Sequence, residues 1–227
     1  MTNIKKPINI INLLFLICIV TGDICYTTFG GLWLKALTSI FFVALGVVNL
    51  IYAINNKTDY LKFSIILVAG LTFAMLGDIV LNIYFIGGAI LFAIGHIFYF
   101  VAYCFISKFN PKDLIYSALI FVPSLFIILF VPVLNFGGIL MQIVCVAYAL
   151  IISLMLGKSI ANFVAKKSFL TLIIMLGSIL FFFSDVMLVF DVFASLPVVG
   201  TLCLATYYPA EFLLAYSILC ANNSNKK

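Results

Sequence analysis

Long apolar runs alternate with short polar breaks along this chain, eight times over. The runs fall at about residues 8–26, 32–53, 62–82, 85–106, 114–132, 137–157, 168–190 and 196–220. Each is near the roughly 20 residues that a helix needs to cross a hydrocarbon core of about 30 Å. None shows the two-residue alternation of a lipid-facing barrel strand. The pattern predicts an all-α fold: a polytopic membrane bundle of eight transmembrane helices, forming a single domain over residues 1–227. The breaks at Asn82–Tyr84 and Asp191–Ser195 read as hairpins, with Asp191 a loop residue. No break is long enough for an extramembrane domain. Any chemistry has to happen inside the bilayer or at its edge.

Composition agrees with the pattern. The chain is 66% hydrophobic and 8% charged, far more apolar surface than a soluble domain can hide. The six cysteines (Cys18, Cys25, Cys104, Cys145, Cys203 and Cys220) are scattered without metal-ligand spacing. They read as small apolar residues rather than a disulfide framework. All 12 basic residues are lysine, which argues against arginine-based recognition of nucleic acid, so no such partner is expected.

The lysines also set the orientation. Lys5 and Lys6, Lys57 and Lys62, Lys108 and Lys112, Lys158, Lys166 and Lys167, and Lys226 and Lys227 all fall at one end of the predicted bundle. The breaks at the other end have none. The positive-inside rule then places both termini in the cytoplasm, as an even number of spans requires. The run from Ile8 lacks a small-residue cleavage site, so no removable leader is expected. The expected location is a bacterial inner (cell) membrane.

The remaining lysine, Lys35, lies inside a span, as do Asp23, Asp78, His96, Asp185 and Glu211. A carboxylate or ammonium near the middle of a bilayer helix costs about 2.5–3.5 kcal/mol even on the lenient insertion scale. Several such costs in one small chain point to a shared polar site between helices. Measured from the predicted span ends, Asp23, Lys35, Asp78 and Asp185 lie within about two turns of the lysine-free end, and His96 and Glu211 lie deeper. Helical spacing gives these groups faces. Gly88, Phe92, His96, Tyr99 and Tyr103 form one stripe. Thr201, Ala205, Tyr208, Glu211 and Ala215 form a second, and Lys35, Thr38, Phe42, Gly46 and Asn49 a third. Phe73–Leu81 also echoes Leu180–Leu188, each with an aspartate at the same place, as parallel repeats would. Other readings stay open: Asp23 solvated or capping a helix, Lys35 snorkelling to the interface, and Glu211 paired with Lys35.

Several segments carry a resemblance. They are Gly77-Asp78, the stretch from Phe85 through Gly88, Phe92 and His96 to Tyr99, Val146-Ala147-Tyr148 with Ser153, Ser184-Asp185, and Tyr207-Tyr208-Pro209-Ala210-Glu211. In this order they resemble the YhhN-like lysoplasmalogenase family of eight-span membrane proteins. The resemblance implies a hydrolase that cleaves the vinyl ether bond of a lysophospholipid, releasing a fatty aldehyde and a glycerophospho-headgroup. Two positions depart from the family pattern: Lys35-Ala36 stands where Lys-Pro is usual, and Glu211 where Gln is usual.

Vinyl ether hydrolysis is driven by acid. A proton adds to the β-carbon, water attacks the resulting oxocarbenium ion, and the hemiacetal collapses. This needs a carboxyl group that carries a proton and a second carboxylate that steadies the cation and orients water, as in glycoside hydrolysis. The expected catalytic residues are Asp78 and Asp185, in either order, with His96 orienting water or passing a proton. Lys35, Tyr99, Ser184, Tyr208 and Glu211 are expected to line the substrate site. No cofactor is expected. A metal held by Asp78, His96, Asp185 and Glu211 is the alternative within hydrolase chemistry. The expected partners are the lysophospholipid substrate and membrane lipid. The alternative outside enzymes is a proton-coupled transporter or a lipid-binding membrane protein using the same buried charges.

Overall fold

The computed structural model describes residues 5–196 and 198–224. Lys226 and Lys227, two of the lysines that set the expected orientation, lie outside them. Eight helices follow in order: α1 (Lys5–Phe29), α2 (Leu32–Asn55), α3 (Leu61–Leu81), α4 (Phe85–Cys104), α5 (Asp113–Phe130), α6 (Ile139–Ala165), α7 (Phe169–Ala194) and α8 (Val199–Ser224). All eight are long and apolar enough to cross a membrane, and no strand occurs among the described residues.

Six helices close into a ring in the order α2, α3, α4, α6, α7, α8, with α3 and α8 also touching across it. Helix α1 lies outside, against α2 and α8, and α5 lies outside against α6. Lipid provides no hydrophobic drive between helices, so close approach and hydrogen bonds hold such a bundle. Gly70 and Gly95 supply the first at the α3–α4 crossing. A Cβ on Gly70 would lie 2.5 Å from the Tyr99 ring and 3.2 Å from the Gly95 carbonyl. Asn12 and Asn49 supply the second. Their amides bond each other reciprocally at 2.9 and 3.0 Å, and Asn49 also donates to the Ala215 carbonyl at 3.1 Å. That pins α1 to α2 and α8. Ser168 caps α7 in a reciprocal box with Thr171.

Two helix ends differ from expectation in ways that matter. Helix α6 runs on to Ala165, so Lys158 is a helical residue, 1% exposed, rather than a loop lysine. Its ammonium reaches Asp113 at 2.7 Å, the Lys108 carbonyl at 3.1 Å and Ser107 at 3.2 Å. Full pairing is what makes a buried lysine tolerable. Helix α7 runs on to Ala194, which puts Asp191 in its last turns and not in a loop. It also changes the depth of Asp185. Nine residues from the helix end, at a rise of about 1.5 Å each, Asp185 lies roughly 14 Å in rather than within two turns.

Candidate active site

The third residue past the start of α2 is Lys35, and the third before the end of α3 is Asp78. Both therefore sit near the lysine-free end of the bundle. Lys35 Nζ meets Asp78 Oδ1 at 3.0 Å, with side-chain exposures of 8% and 3%. The other carboxylate oxygen, Oδ2, accepts from Ser39 in a short hydrogen bond and from Tyr208 at 3.3 Å. Asp78 is thus neutralised on one oxygen and doubly hydrogen-bonded on the other. Lys35 takes Asp78 as its partner, so the Lys35–Glu211 pairing that was open in the sequence does not form. Tyr26 stands with its ring centroid 5.7 Å from the Lys35 ammonium.

A second group lies deeper, on α4, α6 and α7. Tyr148 donates to Asp185 Oδ2 at 2.7 Å. His96 Nε2 lies 3.2 Å from that same oxygen and 2.8 Å from the Tyr148 hydroxyl. The Tyr148 proton points at Asp185, so Nε2 carries the proton on the His96 side of the triangle. That assignment also suits His96 Nδ1, which is buried and meets no hydrogen-bond partner: an unpaired lone pair there is cheaper than an unpaired N–H. Phe181 packs edge-on against the imidazole, with ring centroids 4.6 Å apart. Asp185 Oδ1 has no partner among the described residues, and the side chain remains 11% exposed.

Between the two groups lies a cavity of about 160 Å³. Lys35, Asp78, Ser184, Asp185 and Tyr207 line it, and Tyr26, Asp191 and Gly200 form its wall toward the lysine-free end. It has room for several waters, with enough polar partners to hold them. Asp78 and Asp185, on helices that are not neighbours in the ring, thus face one space.

The other expected site residues stand as follows. Ser184 is on the cavity wall, 3.4 Å from Cys203 Sγ. Tyr208 stands behind Asp78 as a hydrogen-bond donor. Tyr99 donates to Glu211 Oε2 at 2.7 Å, and neither residue lines the cavity. Glu211 is fully buried and its Oε1 meets no partner. Asp23 lies outside the cavity lining, with one carboxylate oxygen buried and unpartnered. Asp78, His96, Asp185 and Glu211 do not converge on one point. Among the described residues no three His, Cys, Asp or Glu side chains gather as a metal-ligand set.

Ser39, Tyr148 and Tyr207 were absent from the expected site. Ser39 sits one turn after Lys35 on the same helix face, which was a usable signal. Tyr148 and Tyr207 stood among the segments that carried the resemblance, which was a signal, but their use shows only in their neighbours across the bundle.

A family model described as the YhhN family matches residues 12–218, a span that holds every residue of both groups. The chain belongs to the YhhN family. No curated protein and no solved structure matches it. The YhhN match and the eight apolar helices together make this a multi-pass membrane protein. Lys35, Asp78, His96, Tyr148, Asp185 and Glu211 all fall within the YhhN region.

Proposed function

We propose that this YhhN protein is a membrane-embedded hydrolase that cleaves the vinyl ether bond of lysoplasmalogens without a cofactor. The observation that carries the reading is the placement of Asp78 and Asp185 on one cavity of about 160 Å³ in otherwise apolar surroundings. Hydrolysis through an oxocarbenium ion needs two carboxyl groups and room for a water, and this cavity offers both.

The two groups take different roles because their surroundings differ. Asp185, in its protonated form, is the acid. Its Oδ2 is held by Tyr148 and His96, while Oδ1 is left free toward the substrate. It gives its proton to the β-carbon of the vinyl ether, and the C=C electrons form the new C–H bond. The Asp185 carboxylate that results lies beside the oxocarbenium ion and steadies it. Asp78, fixed as a carboxylate by Lys35, orients the attacking water and accepts its proton. The hemiacetal then passes its hydroxyl proton to the glycerol oxygen and collapses, giving a fatty aldehyde and the glycerophospho-headgroup. The proton on Asp78 returns to Asp185 through cavity water. One water is consumed and the enzyme ends as it began. His96 and Tyr148 hold the acid in place, and Lys35 is the countercharge of Asp78.

The lysine-rich ends of the helices face the cytoplasm of a bacterial inner membrane in this reading, and the cavity faces the opposite leaflet. The test is direct. Purified protein is incubated with a lysoplasmalogen and free aldehyde is assayed. Aldehyde release that disappears in Asp185→Asn supports the hydrolase. No release from well-folded protein sinks it in favour of a transporter or lipid-binding protein built on the same charges.

A further inference from the structure

Against the polar cavity lies a second one, of about 80 Å³, with an apolar lining. It is walled by residues of α4 through α7, among them Ala89, Ile127, Ala149, Ile152 and Val189. Four residues line both cavities: Leu81, Phe92, Asp185 and Leu188. Asp185 is the one ionisable group at this seam. Helix α5 packs on α6 and makes no close backbone approach to α4 or α7 among the described residues. Side chains alone close the compartment on this side, Ile127 and Ile128 of α5 packing with Val189, Phe190 and Phe193 of α7, so it lies at the outer edge of the ring.

We propose that the apolar compartment is the binding site for the hydrocarbon chain of a single-chain amphiphile. The chain's first few carbons lie there, the rest leaves laterally past α5, and the polar end occupies the Lys35–Asp78 cavity. The occupant follows from the seam. A molecule that spans both spaces must be apolar on the α5–α6 side and polar on the α2–α3 side. Its junction between the two has to pass the free oxygen of Asp185. On the hydrolase reading, on which this placement rests, that junction is the vinyl ether itself: the compartment delivers the β-carbon to the acid. Ala149 and Ala89 set the width of the site, since each leaves space that a larger side chain would fill.

The test uses the full chain in nanodiscs and a probe that does not require turnover. The probe is a 1-O-alkyl lysophospholipid, saturated next to the ether oxygen and carrying a diazirine on an early chain carbon. After illumination, labelled peptides are read by mass spectrometry. Labelling is expected on the compartment walls of α5, α6 and α7, around Ile127, Ile152 and Val189. It should fall at least about tenfold in Ala149→Phe, by the usual discrimination of an apolar pocket against added bulk. It should persist in Ile40→Phe, on the lipid-facing side of α2, where Ile40 is 48% exposed. If Ala149→Phe does not fold, Ala89→Leu serves in its place. Labelling spread over the outer faces of α1, α2 and α8, or unchanged by filling the compartment, overturns the proposal. The hydrolase reading is judged separately. Aldehyde release with labels elsewhere removes the chain site alone. Compartment labelling without aldehyde release keeps the chain site and removes the hydrolase.

Discussion

Asp78 and Asp185 are written into the chain almost identically. Each follows a small residue, interrupts an apolar stretch, and is followed by three apolar residues of which the last is leucine. The bundle treats them in opposite ways. Asp78 lies at the start of the cavity with a lysine on one oxygen and two hydroxyls on the other. Asp185 lies roughly two and a half turns in, with a tyrosine and a histidine on one oxygen and nothing on the other. Asp78, paired with a cation, is held as a carboxylate with lone-pair capacity left on Oδ1 and suits the part of base. Asp185, with Oδ1 unpartnered, suits the part of acid. The difference is one of partners, and the partners come from other helices.

The sharpest way to break this contrast is to neutralise each aspartate in turn. Asp185→Asn keeps the shape and a hydrogen-bond acceptor for Tyr148, so the protein should fold. Aldehyde release should fall about 10²–10⁴-fold, the usual worth of a positioned acid. Full activity in this variant ends the assignment. Asp78→Asn should differ in kind, because it leaves Lys35 buried without its countercharge. Breaking a buried ion pair from one side costs about 3–5 kcal/mol, visible as a lower thermal midpoint in detergent. The double variant Lys35→Met with Asp78→Asn should recover most of that stability and still lack activity. If Asp78→Asn is as stable as the parent, the pair does not hold α2 to α3 as the geometry indicates.

Smaller changes probe how Asp185 is held. Tyr148→Phe removes one of two hydrogen bonds to Oδ2. A hydrogen bond to a charged group is worth about 1.5–3 kcal/mol, so kcat should drop roughly ten- to a hundredfold with KM little changed. A rise in KM at constant kcat would instead place Tyr148 in substrate binding. Least of all should follow from Glu211→Gln, which restores the usual residue of the YhhN-like pattern. Its carbonyl can still accept from Tyr99, and position 211 does not line the cavity. Activity within about threefold of the parent is expected, a barrier change of no more than roughly 0.7 kcal/mol. A large loss would show that the buried acid has a part in the reaction.

Much of the fold was legible because lipid imposes a simple rule. Every backbone group must be satisfied within its own segment, so eight apolar runs of bilayer length become eight helices. The ends of α6 and α7 were misjudged for a related reason. Lys158 and Asp191 look like the polar borders of spans, yet α6 continues past Lys158 because Asp113 meets its charge, and α7 continues past Asp191 because that side chain is exposed. The identity of the buried polar residues was legible too, because each costs enough to need a reason. Their pairing was not. The sequence left Glu211 open as a partner for Lys35, and the packing of α2 on α3 gave it Asp78 instead.

What the sequence by itself determined is the class of the protein: an all-helical membrane bundle of the YhhN kind, with its ionisable groups gathered inside. Periodicity and the cost of charge in lipid act locally along the chain, so they can be read from it. What only the tertiary structure decided is the division of labour among those groups. Ser39 joined Asp78, Tyr148 joined Asp185, Glu211 was set apart with Tyr99, and two cavities of unlike polarity were brought to share one carboxyl group. Those outcomes depend on which helices are neighbours and how far each is rotated, and neither quantity is carried by the spacing within any single helix.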